Sequence, residues 1–232
     1  MKNQNAKEKI LSALKEKSAM KQKVYDVTKE TFDIIKTILQ DIEKDYNKHL
    51  KTVDNRLLLG YKDKGAFEAE IKIAGDLLFF NMHSNIFEFN RDHGVWKISY
   101  MKNNQMASYC GIINIYNFLS DSFQYNRLDD LGYLIGRIFI NKDKHFFIEG
   151  KRELGYLFND FGSSVIDKET MRSIIESAIL YTLNFDLLVP PFDTVKILTV
   201  SQMQEKMNKH RLQTGKRLGF KFQADSDGGF LP

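Results

Sequence analysis

MASYCGIINIYNFLS, residues 106–120, decides how the chain is read. The run exceeds the average strand length of roughly 5–6 residues and sits mid-chain. Its apolar members are Cys110, Ile112, Ile113, Ile115, Tyr116, Phe118 and Leu119, with Asn114 and Asn117 set among them. β-Branched and aromatic side chains suit a pleated, packed surface, so the run reads as the central strand of one β-sheet domain. Side chains alternate between faces along a strand. Asn114 and Asn117 therefore point to opposite faces, and Cys110 and Tyr116 share the face of Asn114.

Upstream, residues 6–53 read as helix, with no Pro and no Gly. Ile35, Ile38, Ile42, Tyr46, Leu50 and Val53 recur at spacings of three and four, the signature of one buried helix face. A firm helix is predicted over residues 25–53, with a looser helix or extension before it. Residues 57–65 read as a turn by their Gly and charged residues. Residues 67–74 alternate Phe67, Ala69, Ile71 and Ile73 against Glu68, Glu70 and Lys72, which is a strand with one wet face. A tight turn at Gly75-Asp76 leads to a strand over residues 77–82. Residues 85–90 and 95–101 are predicted to pair as a hairpin around Arg91-Asp92-His93-Gly94, placing Glu88 opposite Lys97 and Phe89 opposite Trp96.

Downstream of the central run, residues 121–130 read as an irregular connection. Residues 131–140 and 145–149 are predicted strands joined by the turn Asn141-Lys142-Asp143-Lys144. Residues 154–158 form a further strand or a short helix. Asp167 is positioned as the N-cap of a helix over residues 168–184. A short strand is expected over residues 195–200, a basic helix from Ser201 to about Thr214, and a last strand or arm over residues 215–223. The resulting class is α+β: a long N-terminal helix packed on an antiparallel sheet of about six or seven strands, with C-terminal helices. The domain division is a basic extension over residues 1–23, one α+β domain over residues 24–205, and a basic arm and tail over residues 206–232.

Charge is segregated along the chain. The whole carries +4. Residues 1–23 contribute seven Lys against two Glu, and residues 206–221 contribute six basic side chains and no acid. The intervening body is acidic, at −5 once Asp225 and Asp227 of the tail are set aside. This asymmetry suits nucleic acid, acidic lipid or the acidic body of a partner subunit. The basic C-terminal residues Lys206, Lys209, Arg211, Lys216, Arg217 and Lys221 are the expected partner-binding group. Their mixture with Leu and Phe also admits single-stranded nucleic acid, without a recognised nucleic-acid motif.

The chemistry is sparse. There is no phosphate-binding Gly-rich loop and no Gly-x-Ser-x-Gly elbow. The five His are far apart in sequence, and none forms a helical metal-binding pair. The lone Cys110 lies in an apolar run and reads as a buried thiol. No cofactor, metal or catalytic residue is assigned. With no signal-peptide pattern, no apolar run of membrane-spanning length and no disulfide potential, the expected compartment is the cytoplasm.

The informative anomalies are polar side chains inside apolar β runs. Asn114 and Arg137 are costly in a sheet unless paired. The first reading is an internal hydrogen-bond network in which Arg137 meets Glu149 across the 141–144 turn. The alternative is a polar pocket on the sheet face, lined by Asn114, Tyr116 and Arg137, that binds a small ligand. The expected function is a non-enzymatic interaction or assembly protein forming homo-oligomers. A small-ligand binding or sensor domain is the alternative, and nucleic-acid binding through the basic ends is a third.

Overall fold

A computed structural model of the chain describes residues 2–128, 130–185, 191–197, 199–201 and 203. Helix α1 (Lys2–Ala13) passes through a π-helical turn (Leu14–Ser18) into α2 (Ala19–Leu50), so the helical run crosses residue 23 without a break. After a 3₁₀ turn at Asn55–Leu57 come β1 (Gly60–Asp63), β2 (Glu68–Ile73), β3 (Asp76–Met82) and the two-residue β4 (Phe87–Glu88). A stretch of short helical turns contains α3 (Ser99–Asn103) and leads into β5 (Tyr109–Leu119). The chain continues with α4 (Ser120–Gln124), β6 (Tyr133–Asn141), β7 (Phe146–Gly150), α5 (Glu153–Tyr156), α6 (Lys168–Leu183) and α7 (Phe192–Val195). The class is α+β. All pairings in the seven-stranded sheet are antiparallel, in the order β1-β2-β3-β5-β6-β7, with β4 lying against the start of β5.

β5 is internal to the sheet, and its alternation sorts the two faces. Ile113 and Ile115 join Leu78, Phe80, Ile138 and Ile148 in a core that α2 covers with Phe32, Ile35, Ile38, Leu39 and Ile42. α6 adds Met171, Ile174, Ile175, Ala178 and Ile179 to the same first face. Burying each such side chain contributes roughly 1.5–3 kcal/mol, so this layer dominates stability. α2 sits close because β5 offers Gly111 beneath Thr28. A Cβ on Gly111 would lie 2.0 Å from Thr28 Oγ1 and 2.7 Å from its Cβ. The buried Thr28 and Thr31 hydroxyls donate to the Val24 and Val27 carbonyls one turn back, which satisfies them without a partner on the sheet.

Both sheet edges are occupied. Along β1, the Tyr61 N–H donates to Glu43 of α2 at 3.0 Å. Just before it, Asn47 of α2 both accepts from the Leu59 N–H and donates to the Leu59 carbonyl. Along β7, the Phe146 and Ile148 N–H groups donate to the Ser164 and Phe158 carbonyls. α6 begins as predicted, with Asp167 accepting from the Thr170 N–H at 2.7 Å.

Several local expectations fail. Residues 60–63 form β1 rather than a turn. The predicted 85–101 hairpin is absent: Phe87 pairs with Cys110 and Glu88 with Tyr109 of β5, while Gly94–Lys97 is a 3₁₀ turn followed by α3. Glu88 accepts instead from the Tyr109 hydroxyl at 2.7 Å, and the Arg91 guanidinium lies over the Trp96 ring at 4.1 Å. The β2–β3 turn falls on Ala74-Gly75 rather than Gly75-Asp76. Residues 153–156 are helical, one of the two forms expected around residues 154–158, whereas α7 replaces the start of the strand expected over residues 195–200. Most of the predicted 201–214 helix and all of residues 215–223 lie outside the described residues.

Gly111→Ala tests the close approach of α2. Overpacking at such a contact costs about 1–3 kcal/mol, and a thermal melt should show a lower Tm. An unchanged Tm would mean that α2 is not held against β5 at this point.

Candidate functional site

The second face of the sheet is only partly covered, and a polar row crosses it beside half-buried aromatic side chains. Register sets Asn81 beside Asn114, Asn114 beside Arg137, and Arg137 beside Glu149 in one row across β3, β5, β6 and β7. Arg137 Nε donates to Asn114 Oδ1 at 3.1 Å, and Arg137 Nη1 lies 3.9 Å from Glu149 Oε2. The predicted pairing of Arg137 with Glu149 across the turn therefore exists. The ion pair is half-exposed, a setting in which such pairs contribute about 0–1 kcal/mol. Tyr116 is the neighbour of Phe79 on the same face and stands 6.3 Å from Phe118. Asn117 points the other way, 1% exposed, and its Oδ1 has no hydrogen-bond partner among the described residues.

The row continues into the covered part of this face. Glu149 Oε1 is 3.5 Å from His93 Nε2. His93 Nδ1 accepts from the Val95 N–H, which puts the ring proton on Nε2, toward Glu149. His93 in turn stacks on Phe89 at 4.7 Å, and Phe89 packs on Phe139 and Phe147. These aromatic side chains, with Val95, Met101, Ala107, Cys110 and Phe161, form a second apolar cluster. Between this cluster and the 159–162 segment lies a cavity of about 570 Å³, bordered by His93, Tyr100, Phe147, Asp160 and Phe161.

Tyr100 holds one wall through a half-buried polar hub centred on the buried Asn141. Its hydroxyl donates to Asp143 Oδ2 at 3.2 Å and accepts from Asn141 Nδ2 at 2.9 Å. Asn104 and Lys142 also donate to Asp143, and Asn141 Oδ1 accepts from the Asp143 and His145 N–H groups. This ties the β6–β7 turn to α3. Burial, aided by the Asp143 carboxylate, pushes the Tyr100 phenol up to about 12. Burial works to raise Asp143 as well, but the Lys142 ammonium and the Tyr100 hydroxyl outweigh it and hold its carboxyl below the usual range. At Asp160, the Ser163 hydroxyl and the Ser163 and Gly162 N–H groups hold the carboxylate below the usual range, against slight desolvation.

Asn114 and Arg137 are brought together by the fold, and Tyr116 shares their face. The basic residues Lys206, Lys209, Arg211, Lys216, Arg217 and Lys221 lie outside the described residues. Cys110 is buried, donates to the Ala107 carbonyl, and has its thiol pushed up by burial, the condition of an inert thiol. Among the described residues, no group of three or more His, Cys, Asp or Glu is placed to hold a metal ion. Nor is any helix among them long and apolar enough to cross a membrane. The cavity residues His93, Tyr100, Phe147, Asp160 and Phe161 escape sequence reasoning, because they come from separate stretches. The single hint was the aromatic density of residues 139–161. The chain matches no protein-family model, no curated protein and no solved structure.

Tyr100→Phe strips the hub of its hydroxyl and leaves Asn141 Nδ2 without its acceptor. An orphaned buried donor costs about 1–3 kcal/mol, read as a lower urea midpoint. Asp143 has a depressed folded pKa, so its contribution is full above the unfolded value of about 3.9 and is lost as pH falls through the folded value. The stability gap between wild type and Asp143→Asn should therefore narrow on acidification below about pH 4. A gap independent of pH would contradict the hub.

Proposed function

We propose that the chain is a non-enzymatic binding domain that takes a small organic ligand on the second face of its sheet. The supporting observation is the cavity of about 570 Å³. Ligand sites typically enclose roughly 300–1,000 Å³, mostly apolar, with a few placed polar groups. Here the rings of Tyr100, Phe147 and Phe161 supply apolar wall, and His93 and Asp160 supply polar edges. His93 also links the cavity through Glu149 to Arg137 and Asn114. Occupancy of the cavity thereby bears on the open polar row, as a sensor needs. The buried, inert Cys110 offers no nucleophile to this face.

The test is a thermal-shift screen of metabolites on wild type and Gly94→Leu. Gly94 borders the cavity and is exposed, and a Cβ there meets no atom within 4 Å, so a larger side chain can be introduced at the rim of the cavity. A ligand at 100 times its Kd adds about 2.7 kcal/mol, which at 2–4 °C per kcal/mol raises Tm by roughly 5–11 °C. At least one compound should stabilise wild type and not Gly94→Leu. If no compound separates the two proteins, the reading fails.

A second reading, homo-oligomeric assembly, is favoured by the N-terminal helix. Residues 5–19 are exposed throughout, including Ile10, Leu11 and Leu14 at 59%, 42% and 55%. An isolated helix of this length is marginal in water, so an uncovered one with an apolar strip calls for a partner. The basic arm and acidic body make a second copy the natural one. An apolar groove of about 550 Å³ between α2 and α6, bordered by Leu50, Leu59, Ile179 and Leu183, is a matching receptor. Light scattering after size exclusion should report an oligomer that Leu14→Glu and Leu183→Glu each dissociate. A monomeric wild type at both low and high salt removes this reading.

A further inference from the structure

Resting on the assembly reading, we propose that two copies exchange their N-terminal helices. The α1 helix of each copy lies in the α2–α6 groove of the other, and a twofold pair closes with two equal contacts.

The stripe on α1 is set by spacing. Ala6, Ile10, Ala13 and Leu14 fall at i, i+4, i+7 and i+8, and Leu11 lies three residues before Leu14. That spacing puts all five on one side of the helix, and it is the anchor pattern with which an amphipathic helix enters an apolar groove. All five are exposed, and the two alanines allow the helix axis to come close to a wall.

The groove is its counterpart. Leu59, Ile73 and Ile179 form a buried aliphatic floor, while Leu57, Leu180 and Leu183 on the border stay 39%, 59% and 53% exposed. Contiguous uncovered apolar surface of this kind marks an interaction site. The polar edge is already occupied: Glu176 Oε1 accepts from the Tyr46 hydroxyl and from Arg172 Nε. The groove therefore rewards apolar burial, which an aliphatic helix stripe supplies.

Helix length decides which copy supplies α1. Residues 2–50 run as one helical rod through the π-helical turn, and the groove borders its far end at Tyr46, His49 and Leu50. Stripe and groove are about 35 residues apart on that rod, or roughly 50 Å at 1.5 Å per residue. The rod is also pinned near its middle turn. Lys17 Nζ and Lys21 Nζ each stand 5.2 Å from the centre of the Tyr109 ring. A chain thus cannot fill its own groove with its own α1. Each copy carries both stripe and groove, so one contact generates its symmetry mate, and a twofold closes the pair. Charge agrees in sign, with seven Lys against two Glu over residues 1–23 and a net −5 over residues 24–205.

Disulfide cross-linking in the full chain reads this contact. Cys110, the one native thiol, is buried and stays silent. Ile10→Cys chains mixed with Leu183→Cys chains should form a linked heterodimer under mild oxidation. Ser12→Cys, on the opposite side of α1, should give no such link. Adding Leu14→Glu to the Ile10→Cys chain should abolish the link while its far-UV circular dichroism stays unchanged. Light scattering should weigh the wild type at twice the chain mass. A dimer in which Ser12→Cys links as readily as Ile10→Cys, or in which neither links, overturns the exchange and leaves the assembly reading standing. A mass that grows beyond two copies with concentration overturns the twofold closure. An intramolecular link in a Leu183→Cys/Leu218→Cys double variant gives the groove to the chain's own C-terminal residues and also overturns the exchange. A monomer at both low and high salt overturns the exchange and the assembly reading together.

Discussion

The contact of α2 with β5 at Thr28 and Gly111 sets the geometry on which the rest depends. With no side chain on Gly111, the helix lies directly on the central strand, so Phe32 and Ile35 reach the level of Ile113 and Ile115. A helix held at that height and direction spans the first face and leaves room beside it for α6. The Thr28 and Thr31 hydroxyls, bonded to their own helix, let two polar groups enter the core without asking anything of the sheet. One missing Cβ thus fixes the layer that supplies most of the apolar burial.

The second face follows from what the helices do not cover. Short helical turns over residues 94–108 and the 158–165 segment lie over one end of it, with Phe89, Phe139 and Phe147 beneath. Short turns cannot fill a flat sheet as a long helix does, and the space left is the aromatic cavity. The other end keeps its polar row. His93 and Glu149 lie 3.5 Å apart where the covered and open parts of this face meet.

Much of this was readable where neighbours in sequence carry the information. The alternation of residues 106–120, the opposite senses of Asn114 and Asn117, the Arg137–Glu149 register across a short turn and the Asp167 cap are all local or nearly so. The reading failed where the deciding partner is remote. Residues 95–101 contain Val, Trp, Ile and Tyr, which favour strands, yet the Tyr100 bond to Asp143 and the aromatic cluster hold them in helical turns. β1 looked like a turn because its outer edge is completed by Glu43 and Asn47 of a helix that precedes it. Asn114 and Arg137 pair as a polar network, whereas Asn117 is buried with its Oδ1 unpaired among the described residues. The cavity drew on residues 93–100, 147 and 159–162, and no pattern within one stretch reveals a space enclosed by three.

The occupied sheet edges carry a consequence for the life of this protein at high concentration. Unpaired edge strands template fibril growth and strand exchange between copies. Here α2 bonds the Tyr61 N–H on one margin and a returning segment bonds the Phe146 and Ile148 N–H groups on the other, which disfavours extension of the sheet from copy to copy. The two guards differ in strength. The β1 guard belongs to a helix packed on the main core, whereas the β7 guard is the short 158–165 segment, and local openings cost less than global ones. The β7 margin is therefore the less guarded of the two.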